Sequence, residues 1–117
     1  MRSQIPVLQN IGVIYYKLKD YEEALRIFLQ CHDLANKTGV HEEDDILLMN
    51  IGHCYAYLND FAKAADYIEQ AIQYCGSACS PQRILEANFV KGLIFYGRED
   101  FKSAERYFLD SYALVSG

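Results

Sequence analysis

Residues 12–28 read GVIYYKLKDYEEALRIF, residues 52–68 read GHCYAYLNDFAKAADYI, and residues 92–108 read GLIFYGREDFKSAERYF. Laid over one another at steps of 40 residues, the three stretches agree in six places without a gap. Gly12, Gly52 and Gly92 open them, and an aromatic stands three residues later at Tyr15, Tyr55 and Phe95. Then come Asp20, Asp60 and Asp100, each followed directly by an aromatic, Tyr21, Phe61 or Phe101. Ala24, Ala64 and Ala104 follow, and after them Phe28, Ile68 and Phe108. Self-similarity at one period identifies a repeat architecture, here in three copies.

Each copy reads as two helices. Leu8, Ile11, Ile14, Tyr15 and Leu18 recur at three- and four-residue steps, which gathers them on one helical face. Leu48, Ile51, Cys54, Tyr55 and Leu58 repeat that face in the second copy. In the third, Lys91 interrupts a stripe kept by Val90, Ile94 and Phe95. The second helix of each copy carries its own stripe, as in Ala24, Ile27, Phe28 and Cys31. The repeated aspartates fit as N-caps of these second helices, because a carboxylate accepts from an otherwise unpaired backbone N–H. Glu23 stands where it could complete a capping box with Asp20. Gly39 and Gly76 fall where helices should stop, and Ser80-Pro81 where one should start. The acidic run Glu42-Glu43-Asp44-Asp45 suits a solvated helix N-terminus.

Glycine inside a helix costs about 1 kcal/mol relative to alanine. Its recurrence at one phase predicts a close crossing of the two helices, with the alanine twelve residues on as the opposite wall. These columns therefore belong to packing.

Gly-x-x-Tyr followed by Ala and then Phe, at these spacings, resembles the tetratricopeptide repeat. The resemblance runs from about Ile5 to Ser116 and is closest to long-repeat members, since the step is 40 residues rather than the usual 34. Asn36, Gly76 and Ser116 stand where the family often has a closing proline. The resemblance implies an all-α, right-handed superhelical solenoid of three antiparallel helix pairs. Its repeats cover residues 5–38, 45–78 and 85–117 as one continuous domain, expected to be a fragment of a longer array. It also implies that the first helices line a concave face that holds an extended peptide or a helix of another protein. Residue by residue, that face comprises Gln9, Val13, Tyr16 and Lys17; Met49, Asn50, His53 and Tyr57; and Glu86, Phe89, Val90, Leu93 and Tyr96. Some members grip a chaperone's terminal carboxylate with lysines, asparagines and an arginine. Only Asn50 matches that set, and Glu86 would repel a carboxylate. A role as the sensory, regulatory or oligomerising segment of a larger signalling protein is the alternative that the resemblance implies.

Other chemistry finds little support. The chain has 117 residues and a net charge of −5, which disfavours nucleic acid or an anionic membrane surface as partner. No apolar run approaches the ~20 residues that span a bilayer. Four cysteines in a chain able to build its own core suggest a reducing, cytoplasmic compartment. Cys75 and Cys79 read as two thiols at a helix end, with a zinc or redox switch as the lesser reading. His32, His41 and His53 are not spaced as ligands, and His53 beside the groove could make binding pH-dependent. No nucleophile–base pair, phosphate loop or cofactor motif is present, so an enzyme is not expected. The last helix carries Phe108, Tyr112 and Leu114 with nothing after it to cover them, which marks an interface and possible self-association there.

Overall fold

Each repeated aspartate caps a helix, and the aromatic after it is that helix's first residue. The computed structural model describes residues 4–39 and 44–116. The helices are α1 (Gln4–Lys17), α2 (Tyr21–Thr38), α3 (Asp44–Tyr57), α4 (Phe61–Cys75), α5 (Pro81–Gly97) and α6 (Phe101–Ser116). No strand occurs among the described residues. Oδ1 of Asp20, Asp60 and Asp100 accepts from the backbone N–H of Glu23, Lys63 and Ser103, each at 3.3 Å. Ser80 Oγ caps α5 in the same way, with Pro81 as the first helical residue. The capping box is not formed, because the Glu23 carboxylate turns to Arg26 instead. Gly39 ends α2 in the left-handed conformation, with its N–H on the Ala35 carbonyl.

The turn inside each hairpin is the same three times. The aspartate N–H donates to the carbonyl of the aromatic five residues earlier, Tyr15, Tyr55 or Phe95, at 2.9 Å in each case. The residue between helix end and cap takes positive φ: Lys19 at 64°, Asn59 at 67° and Glu99 at 61°. Only asparagine among these tolerates that region readily. No glycine marks these turns, so the capping aspartates locate them in the sequence but their positive φ is not visible there.

The crossing of each hairpin differs from expectation in one partner. A Cβ added to Gly12 would stand 2.7 Å from the Phe28 ring, at Gly52 2.6 Å from Ile68, and at Gly92 2.5 Å from the Phe108 ring. The wall opposite each glycine is thus the Phe/Ile column, while Ala24, Ala64 and Ala104 are buried beside it. The aromatic wedge is present, since Tyr55 stacks on Tyr67 and Phe95 on Tyr107 within their own hairpins.

Hairpins stack through their first helices. Leu47, Ile51 and Cys54 of α3 join Ala24, Phe28 and Cys31 of α2 in one buried cluster. Ala87, Val90 and Ile94 of α5 join Ala64, Ile68 and Ala71 of α4 in a second. Arg83 on α5 also reaches Asp45 on α3 at 3.7 Å, so part of the acidic run serves a junction. Glu42, Glu43 and His41 lie outside the described residues, as does the side chain of Leu114.

Two expectations are corrected. The stripe on α1 does not face the core as a whole: Leu8 and Tyr15 are half-buried, but Ile11, Ile14 and Leu18 are exposed. Cys75 and Cys79 are not separate thiols, because a disulfide joins them across the short turn after α4. The cysteines of this chain are therefore not uniform, since Cys31 and Cys54 are free and buried in the stack.

Candidate functional site

With the hairpins stacked, α1, α3 and α5 stand side by side and their aromatic residues meet. Tyr16 on α1 lies edge-on to Tyr57 on α3, with ring centres 6.1 Å apart, and Tyr57 stacks on Tyr21 at 4.5 Å. Tyr16 also touches His53, its Oη 3.1 Å from Nδ1. On the other side of His53 stands Phe89 of α5, at 6.3 Å between ring centres. Tyr16, His53 and Phe89 thus run as a row of half-buried rings across three first helices. Beside the row, between α1 and α3, is a recess of about 360 Å3 lined by Pro6, Gln9, Asn10, Val13, Ile46 and Asn50.

Burial sets the proton affinities in this row. His53 is lowered to about 4, first by desolvation; Glu86 opposes the shift and Arg83 adds to it. The ring is therefore neutral near pH 7, which leaves Nδ1 able to accept from the Tyr16 hydroxyl. Tyr16 itself is raised above the usual phenol range, mainly by burial and then by Tyr57 and Tyr21. Burial also lifts the Cys31 thiol to about 11 and the Cys54 thiol to about 12, so neither is a ready thiolate.

The residues anticipated for the groove divide by burial. Val13 and Asn50 line the recess, and Tyr16, His53, Tyr57 and Phe89 make the ring row. Leu93 is half-buried against the second core cluster. Met49 and Val90 correct the expectation, because neither has exposed surface with which to touch a ligand. Gln9 is also buried, at the edge of the recess. Lys17 is exposed, and Glu86 is engaged by Arg83 at 2.6 Å. Tyr96 is exposed and packs on Phe101 at the far end of the stack, where it belongs to a different surface.

Asn10 was not anticipated, nor were Pro6 and Ile46. The signal was present: Asn10 and Asn50 stand 40 residues apart, as do Pro6 and Ile46. Neither asparagine side chain has a hydrogen-bond partner among the described residues, and both line the recess. An amide offers a donor and an acceptor at once, the pair that an extended backbone presents.

Among the described residues, no group of three His, Cys, Asp or Glu side chains gathers to hold a metal ion. No described helix is long and apolar enough to cross a membrane. A family model for the tetratricopeptide repeat matches residues 4–77, more than half of the chain. No curated protein matches it.

Proposed function

The chain belongs to the tetratricopeptide repeat family, whose repeats are generally non-catalytic modules for protein–protein interaction, and on that premise we propose that it holds an extended peptide against its first helices. The observation that carries this is the recess between α1 and α3, where Asn10 and Asn50 stand beside the ring row with no side-chain hydrogen-bond partner among the described residues. The two amides hold the peptide backbone in register, and Tyr16 and Phe89 offer apolar surface to its side chains. Neutral His53 fixes the orientation of Tyr16 rather than contributing charge.

Selection from a displayed peptide library against the 117-residue chain supplies ligands for the test. Asn10→Ala with Asn50→Ala is expected to weaken their binding at least about tenfold, the loss of one to two hydrogen bonds. The melting temperature should stay unchanged, because both residues stand outside the packed core. Undiminished affinity in this variant, measured by fluorescence anisotropy, would place the ligand elsewhere and defeat the proposal.

A further inference from the structure

At both junctions in this chain a first helix meets the preceding hairpin through overlapping columns. On α3 and directly after it these columns hold Leu47, Ile51, Cys54 and Leu58, and on α5 and directly after it Ala87, Lys91, Ile94 and Arg98, of which Ala87 and Ile94 are buried in the second junction. On α1 and directly after it the same columns hold Val7, Ile11, Ile14 and Leu18. They are apolar throughout, and they are 58%, 38%, 56% and 69% exposed, whereas Leu47, Ile51 and Cys54 are at most 2% exposed. No described element lies against that side of α1.

The opposite end shows the complement. A trough of about 510 Å3 runs over α6 and the end of α5, lined by Tyr96, Phe101, Phe108, Leu109 and Tyr112 among others. Forty and eighty residues earlier, these columns form the surfaces on which the next first helix sits. Phe108 corresponds to fully buried Phe28, Leu109 to Leu29 and Phe101 to Tyr21, which stacks under Tyr57. At the end of the stack, Tyr96, Phe101 and Leu109 are instead more than half exposed.

We propose that the two faces belong to each other: α1 of one copy docks on α5 and α6 of a second copy, repeating the internal step between molecules. The occupant is a second copy because the equivalent surface on α2 takes Leu47, Ile51 and Cys54, and α1 of this chain carries an apolar residue in each of those columns. Charge agrees. Helix α1 contains no acidic residue and ends at Lys17, while the trough is edged by Glu105. Lys17 stands in the column of Tyr57, so the repeated step lays its ammonium over the Phe101 ring, a cation–π contact. Such a head-to-tail contact is heterologous and generates open stacks unless the rotation closes them. It lies away from the recess and does not depend on the peptide-binding proposal.

Sedimentation equilibrium tests it on the full chain. The wild-type mass should rise with concentration past twice the 13.4 kDa protomer. Ile14→Glu with Leu18→Glu, and separately Phe101→Glu with Leu109→Glu, should each remain at protomer mass. Mixed in equal amounts, the two variants should reach twice that mass and stop, since only one intact pair of faces is left. A wild-type chain that stays monomeric into the millimolar range overturns the proposal. So does either variant that still associates alone, which would mean like faces pair, or a mixture that stays monomeric. Should a double change lower helical content, the single changes Leu18→Glu and Leu109→Glu, both at exposed positions, carry the same test.

Discussion

At the first junction α3 sets Leu47, Ile51 and Cys54 against α2, whereas at the second α5 sets Ala87, Val90 and Ile94 against α4, with Lys91 standing where α3 has Ile51. The step along the chain is identical, but the chemistry is not. Tyr21 stacks on Tyr57 at the first junction, while at the second Phe61 presses on the backbone of Gly97, where a side chain would collide with its ring. Beside Lys91 the second junction leaves a recess of about 200 Å3, and the Lys91 ammonium lies 5.9 Å from the centre of the Tyr107 ring. The Arg83–Asp45 ion pair adds to this junction, although a partly exposed pair contributes little. In a stack whose stability sums hairpins and nearest-neighbour contacts, the third hairpin is therefore the first to come loose.

The largest effect that can break this comparison comes from the Phe column. Phe28→Ala removes a fully buried ring from the first junction and should lower unfolding free energy by about 3–5 kcal/mol. Phe108→Ala, at the open end, should lose less than half as much in the same urea titration. Equal losses would mean that burial at the junctions does not rank the hairpins.

Lys91→Leu tests the weaker junction from the other side. Apolar burial in the recess exceeds the lost cation–π contact, so stability should rise by about 0.5–1 kcal/mol. A fall in midpoint would show that the lysine is a working part of the contact rather than a gap in the apolar stripe.

The smallest effect is a pH slope at His53, which touches Tyr16 on one side and Phe89 on the other. Its folded value of about 4 lies below the ordinary 6.5, so the unfolded chain binds a proton that the folded chain refuses. That contribution is complete above about 6.5 and is lost as pH falls from there through about 4. His53→Gln should flatten the slope of unfolding free energy between pH 6.5 and 4.5, leaving the carboxylate contribution at lower pH. An unchanged slope would mean that the imidazole titrates in water.

Much of the fold was legible because its signals are local. Asp20, Asp60 and Asp100 cap helices by reaching three residues ahead, and Gly39 stops one by its own φ, so neither needs a partner far away. The glycine column foretold a close crossing, though it did not show that Phe28, Ile68 and Phe108 are what comes close. The positive φ of Lys19, Asn59 and Glu99 in the turns stayed hidden because two of those residue types do not favour it. For the groove, column matching named Val13 and Asn50, which line the recess, and the residues of the ring row, which lie in contact with one another. It misplaced Met49 and Val90, which are fully covered although Phe89, in the column of Met49, and Asn10 and Asn50, in the column of Val90, are not.

The sequence by itself determined the period, the hairpin, the caps and the apolar columns, all of which follow from spacing along one chain. Only the tertiary structure decided which members of a column are covered. Ile11 and Ile51 occupy the same place in the repeat, yet one is exposed and the other has no exposed surface. Burial belongs to a pair of surfaces rather than to a residue, and α3 has a hairpin before it where α1 has none among the described residues.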